Sequence, residues 1–432
     1  MIRQFHLFIC AFFLFSLCSL PARADTSEDS RAALSRVKVG LVYENVTDGV
    51  EIKRSLEETN AILKATRADF LFRGFWKDEP IVDSPDRIPP QLHSLAREEG
   101  IDRLTERIRK TGKSYDVLRE WIAGIKRENP SLLFCGSLPA QHVSKIEVDP
   151  MSGRVYSPDE TWAMALDPRK WNVILRDKGS TKEEVQARLS GSDVHPYDRR
   201  LATAYAPDIT NSEFQSLLIN LAKKQIDLGA DALWIDGLLS QTKLFFNATN
   251  DTHHPAVKES YGAAVKIIDD IRRYGADRGK YILVGTWGQG EDSLLTLSPR
   301  LQPDFVTVTP SAKEMDQKQL DAREWDAKLA GIRQAYGDIP IFAFIDWSLD
   351  VSPLASFSQN LSAEEQKSML QTLDTFFAQR GVNFIYPVHG GYMGKNPAKR
   401  AFGKFETYDS LAPEFNTIET IETLATAKAL QR

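Results

Sequence analysis

Eight short apolar, β-rich runs recur along the chain with helical segments between them, and this alternation constrains the fold more than any other feature. The runs are Val37 to Glu44, Ala68 to Trp76, Ser131 to Ala140, Ala230 to Asp236, Tyr281 to Gly288, Asp304 to Ser311, Ile339 to Trp347 and Val382 to His389. Strands that alternate with helices pair in parallel, and eight of them close such a sheet on itself. The sequence therefore predicts an α/β protein, a (β/α)8 TIM barrel.

Two intervening segments carry clear helix signals. Phe214, Leu217, Leu218, Leu221 and Ile226 fall at helical spacing behind Thr210-Asn211-Ser212, with Glu213 placed for a capping box and Gly229 as terminator. A second unit runs from Ser362 through Leu370, Leu373, Phe376 and Phe377 to Gly381 and leads into the eighth run. The third and fourth runs stand roughly ninety residues apart, far more than one helix and its loops require. Much of that gap, Val143 to Tyr205, has little periodicity and carries Asp149-Pro150, Ser152-Gly153, Trp162, Asp167-Pro168 and Trp171. It reads as a lobe (143–205) inserted between strands three and four, over the barrel mouth, where it would shape a cleft. After the eighth run there is room for a last helix such as Ile418 to Leu430 but not for another domain, so 25–432 reads as a single barrel domain.

The amino terminus sets the expected compartment. Met1 and Arg3 precede an apolar run from Leu7 to Leu20 and then Pro21-Ala22-Arg23-Ala24, the pattern of a signal peptide spanning 1–24. The expected product is exported, periplasmic or secreted, with no membrane span once the leader is removed. Cys10 and Cys18 leave with it, so Cys135 alone remains and an internal disulfide is excluded. Charged residues make up 26% of the chain with a net charge of -5 and both signs interspersed, which is no footprint for nucleic acid.

In barrels the reacting groups sit at the carboxyl ends of strands, so an acid closing an apolar strand is the first place to look for chemistry. Asp236 closes Ala230-Asp231-Ala232-Leu233-Trp234-Ile235 and is followed by Gly237, which permits a turn or close approach by a ligand. Asp346 closes Ile341-Phe342-Ala343-Phe344-Ile345 in the same way, and Glu44 ends the first run. Glu291 and Asp292 follow the fifth. Such acids also serve as helix caps or ion-pair partners. Glycoside hydrolysis needs two carboxyl groups about one bond, one ionised and one protonated, and this rim supplies them. The first assignment makes Asp236 the nucleophile, Glu291 the acid/base and Asp346 a stabiliser of substrate hydroxyls or of transition-state charge; a competing one makes Asp346 the acid.

Aromatic residues reinforce a carbohydrate reading. Trp76, Trp287 and Trp347 fall at or just beyond strand ends, where an indole face could stack on a sugar ring, and Tyr386 and Tyr392 flank the last strand end; equally, large aromatics plug barrel rims. Arg73 adds a cation beside the acids, to depress the pKa of a nucleophile or to pair with Glu44. Metal and cofactor chemistry find little support: His253-His254 lies in a polar loop without HExxH spacing, and the sixth run holds no lysine for a Schiff base. His389-Gly390-Gly391-Tyr392-Met393-Gly394, after the eighth run, suits phosphate binding through backbone amides.

On these residues the layout resembles the barrel glycoside hydrolases that include the α-amylase family and, more loosely, the endo-α-1,4-polygalactosaminidases. In α-amylase-like enzymes acids after strands four, five and seven act as nucleophile, acid/base and stabiliser, and a lobe interrupts the barrel after strand three. Asp236, Glu291, Asp346 and the long insertion occupy those places. That family has an arginine two residues before its nucleophile, where this chain has Trp234, and a His-Asp pair where this chain has Ile345-Asp346. The expected function is an exported glycoside hydrolase acting on a polysaccharide or glycoconjugate. The alternatives are a catalytically inactive glycan-binding barrel of the cell envelope and a phosphate-binding or lyase enzyme on the same fold.

Overall fold

A computed structural model describes residues 27–430 except 78, 100–102, 112, 177, 190–203, 289–293, 295, 296 and 348–350. The expected leader, 1–24, lies outside the described residues. Eight parallel strands form one closed sheet: β1 (Gly40–Tyr43), β2 (Phe70–Phe72), β3 (Leu133–Pro139), β4 (Ala232–Asp236), β5 (Leu283–Trp287), β6 (Phe305–Val308), β7 (Ile341–Ala343) and β8 (Asn383–Tyr392). Each pairs with the next, and β1 pairs with β8 in the register Gly40↔Ile385, which closes the barrel. A ninth strand, β9 (Thr407–Asp409), adds antiparallel to β8.

The helices α1 (Leu56–Ala65), α2 (Tyr115–Glu128), α3 (Ser212–Leu228), α4 (Pro255–Asp277), α5 (Ala322–Tyr336), α6 (Ala363–Ala378) and α7 (Ile418–Leu430) follow β1 to β4 and β6 to β8. Among the described residues no comparable helix follows β5. The α3 cap differs from the capping box read in the sequence. Asn211 is the N-cap and its Oδ1 accepts the amides of both Glu213 and Phe214, so the glutamate lies one position too early to reach back. Ser362 and Glu365 do form a full capping box ahead of α6. Gly229 and Gly381 take positive φ just past α3 and α6.

The barrel interior is filled by rings. Phe70, Phe305 and Phe342 form one layer, with centroids 5.0 to 5.8 Å apart. Phe72, Trp234, Trp287 and Phe344 form the layer above, toward the carboxyl ends. Glycine makes room for this packing: a Cβ on Gly285 would sit 2.2 Å from the Phe305 ring. The interior is thus a packed core and not a pore.

At the opposite end a recurring device fixes the strand starts. Asp69, just before β2, accepts the amides of Lys38 and Val39 at the start of β1. Asp231, before β4, accepts the Phe134 amide of β3, and Asp304, before β6, accepts the Val284 amide of β5. Asn383, opening β8, donates its side-chain amide to the Val37 carbonyl ahead of β1. Buried backbone groups must find partners, and these side chains supply them where the ladder has not yet begun.

The 143–205 segment carries its own small elements: Val143–Ser144 pairs with Ala204–Tyr205, so the ends of the segment meet, and Glu147–Val148 pairs with Val155–Tyr156. It docks through a buried ion pair between Lys77 and Glu147 at 2.5 Å, a bond from Asn220 of α3 to Asp149, and Trp171, whose indole donates to Glu259 of α4. No helix among the described residues is long and apolar enough to cross a membrane.

Candidate active site

The carboxyl end of the barrel gathers a charged, aromatic cluster to which all eight strands or their trailing residues contribute. Asp236 ends β4 and is buried. Its Oδ1 accepts the indole Nε1–H of Trp287 at 2.7 Å, from the end of β5, and its Oδ2 accepts the side-chain amide of Gln141 at 2.9 Å, just after β3. Burial pushes the Asp236 carboxyl up to about 6, against the pull of Arg73 and of the Trp287 hydrogen bond; the charges of Asp346 and Glu44 push it the same way as burial.

Arg73 follows β2 in a left-handed backbone conformation, φ 56°, which ends the strand after three residues. Its guanidinium lies 4.1 Å from the ring centroid of Trp76, 4.4 Å from that of Trp347 and 5.2 Å from that of Trp234. Nη2 donates to Glu44 Oε1 at 2.9 Å, while the Gly391 amide donates to Glu44 Oε2 at 2.8 Å. Gly391 must be glycine here. Its φ is 89°, and a Cβ would fall 2.9 Å from the Trp347 indole and 2.4 Å from Leu354. Arg73, just beyond β2, is thus the cation whose charge acts on Asp236.

Asp346, beyond β7, is buried, and its amide donates to Thr309 Oγ1 at 3.1 Å. Asn45 ties β1 to β2: its amide donates to the Arg73 carbonyl and its side-chain oxygen accepts the Trp76 amide.

Of the residues expected from sequence, Glu44, Arg73, Trp76, Asp236, Trp287, Asp346 and Trp347 come together here. Glu291 lies outside the described residues. The tryptophans are engaged internally: Arg73 covers a face of Trp76 and of Trp347, and Trp287 stacks on Phe344 at 5.3 Å. They wall the carboxylates as much as they offer surfaces for a ligand.

Two expected residues are elsewhere. Tyr386 faces the helices, with Phe384 at 5.4 Å and Lys428 of α7 over its ring at 5.1 Å. His389 is buried behind the rim, where Nδ1 meets Asp409 Oδ2 at 2.7 Å, because a register shift at Val42/Tyr43 turns its side chain outward. Tyr392, half-buried, pairs with Thr407 at the β8–β9 junction. The contributions of Gln141, Thr309 and Asn45 were not anticipated, although Gln141 stands directly after the third apolar run. Among the described residues no group of His, Cys, Asp and Glu could hold a metal ion.

No family model matches the chain, and no curated protein does. Among the solved structures it resembles are several carbohydrate-degrading enzymes. The debranching enzyme from Nostoc punctiforme is 13% identical with a TM-score of 0.45, covering 91% of this chain and 80% of that one. The type III pullulan hydrolase from Thermococcus kodakarensis is 11% identical with a TM-score of 0.44, over 92% of this chain and 70% of that one. The glycoside hydrolase domain of PelA from Pseudomonas aeruginosa is 12% identical with a TM-score of 0.39, over 81% and 93% respectively.

Proposed function

We propose that this chain hydrolyses glycosidic bonds in a polysaccharide or glycoconjugate outside the cytoplasm, with Asp236 as the nucleophilic carboxylate and Asp346 or Glu291 as its acid partner. The observation that carries the reading is Asp236 itself, a buried carboxylate that accepts one N–H on each oxygen and feels the charge of a second buried acid, Asp346. The two donors favour the ionised form and fix where each oxygen points. The charge of Asp346 pushes the Asp236 carboxyl upward alongside burial, so Asp236 takes up its proton at a higher pH than an isolated aspartate does. One ionised and one protonated carboxyl group is what glycoside cleavage requires. Burial of Asp236 among aromatic rings strengthens its interaction with positive charge developing on a sugar ring.

The phosphate alternative loses its main support, since the Gly391 amide is taken up by the chain's own Glu44. Export rests on the leader pattern at 1–24.

The test is incubation of the purified protein and its Asp236→Asn variant with a panel of α- and β-linked polysaccharides, following new reducing ends and, in parallel, binding. Release by the wild type that the variant loses supports hydrolysis at Asp236. Binding by both without release favours a glycan-binding protein, and neither signal across the panel removes carbohydrate from consideration.

A further inference from the structure

We infer that His389 and Asp409 are positioning residues for Asp236, acting through the Gly390–Gly391 turn, Glu44 and Arg73; the inference rests on the reading of Asp236 as the working carboxylate. His389 stands where β8 meets both β1 and β9, opposite Tyr43 on one side and Asp409 on the other. Its ring is clamped between two acids, with Asp409 at 2.7 Å from Nδ1 and Asp48 at 3.6 Å from Nε2, the latter an ionic contact longer than a hydrogen bond. Both Asp409 oxygens also accept from Arg54 Nη2, Oδ1 at 3.0 Å and Oδ2 at 2.9 Å, and Oδ1 accepts the amide of Leu411. Arg54 in turn donates to the Tyr43 hydroxyl, and Lys113 pairs with Asp48. Burial alone would lower the His389 pKa, but the Asp409 hydrogen bond and the charges of Asp409 and Asp48 raise it to about 9, which favours the protonated ring between the two acids.

The brace reaches the active face through backbone. The His389 carbonyl accepts the Glu44 amide at 2.9 Å. Gly390 follows with φ 106°, so close to Glu44 that a Cβ there would lie 2.2 Å from the Glu44 Cβ. Gly391 then holds one Glu44 oxygen while Arg73 holds the other. A shift of this turn therefore carries Glu44 with it and slides Arg73 between Trp76 and Trp347. Arg73 is the charge that most opposes the upward push of burial on Asp236, while Glu44 and Asp346 reinforce that push. Loosening the brace weakens the cation's hold and lets the Asp236 pKa rise.

The experiment is a pH titration of the Trp287 indole Nε1–H resonance in 15N-labelled full-length protein, assigned by its disappearance in Trp287→Phe. That proton is bonded to Asp236, so the resonance reads the carboxyl without substrate, and the relay can fail while hydrolysis stands, or the reverse. In wild type the midpoint is expected near 6. In His389→Leu and Asp409→Asn it is expected to rise by about half a unit or more. His389→Asn, whose side-chain amide can place an N–H near the position of Nδ1 and so keep a donor for Asp409, is expected to shift less than His389→Leu. Folding is checked by circular dichroism and thermal melting. A wild-type midpoint in folded His389→Leu or Asp409→Asn overturns the inference. So does loss of the fold in all three, which would give the cluster a purely structural role.

Discussion

The indole N–H of Trp287 donates to Asp236 at 2.7 Å while the same ring stacks on Phe344, so one side chain both solvates the carboxylate and seals it against the barrel core. Trp287→Phe keeps the ring and removes the donor. A hydrogen bond to a charged group contributes about 1.5–3 kcal/mol, so kcat/KM on any accepted glycan is expected to fall roughly ten- to a hundredfold. Because the donor favours the ionised form, its loss raises the Asp236 pKa, and the acid limb of the pH–rate profile should move above 6. A limb that moved down would contradict this account.

Asp236 also stores instability. Its folded pKa, about 6, exceeds the ordinary 3.8, so the folded state binds the proton more tightly than the unfolded one. Stability is then lost as pH rises from about 4 to about 6, by ~3 kcal/mol when fully ionised. Asp236→Asn has no such dependence. The variant is expected to melt above the wild type at pH 7, and the difference should vanish near pH 4, as followed by calorimetry.

Lys77 and Glu147 form an ion pair in which both side chains are almost wholly buried, 2% and 1% exposed. Removing one partner leaves the other charge uncompensated, so Glu147→Leu is expected to cost about 3–5 kcal/mol in denaturant unfolding. The double variant Lys77→Met with Glu147→Leu should recover most of that loss. Equal losses in the single and double variants would show that the charge itself is not the source of the cost.

Asp304 offers a contrast with the active face. Its buried carboxylate accepts Arg31, Arg272, Tyr281 and the Val284 amide at the amino-terminal end of the strands. Asp304→Ala is expected to destabilise by about 3 kcal/mol or more while leaving the pH–rate profile of the folded enzyme in place. A shifted profile would mean that the two ends of the barrel are coupled.

The barrel was legible because parallel strands covered by helices are buried on both sides and read as continuous apolar runs. Seven of the eight runs contain their strands whole, while β8 extends past the eighth run to Tyr392, and the described acids and tryptophans at the strand ends converge as barrel geometry demands. Run length misled at the edges. Nine residues from Ala68 to Trp76 hold a three-residue strand, because the left-handed turn at Arg73 stops it. Tyr386 lies away from the mouth because two-residue alternation along β8 puts it on the face of Phe384, toward the helices. His389 lies behind the rim because of a register shift that composition does not announce. Gln141 and Thr309 are single polar residues after strands, and nothing local separates them from loop residues facing water.

The side chains that tie the strand starts together also define where this barrel divides. Asp69 joins β2 to β1, Asp231 joins β4 to β3 and Asp304 joins β6 to β5, while Asn383 stitches β8 back to the chain ahead of β1. Breaks placed after β2, β4 or β6 would leave every one of these ties within a fragment or across the natural closure, whereas a break inside a pair would sever one. Circular permutants and complementing fragments of this chain are therefore expected to tolerate breaks after β2, β4 or β6 better than breaks inside a tied pair.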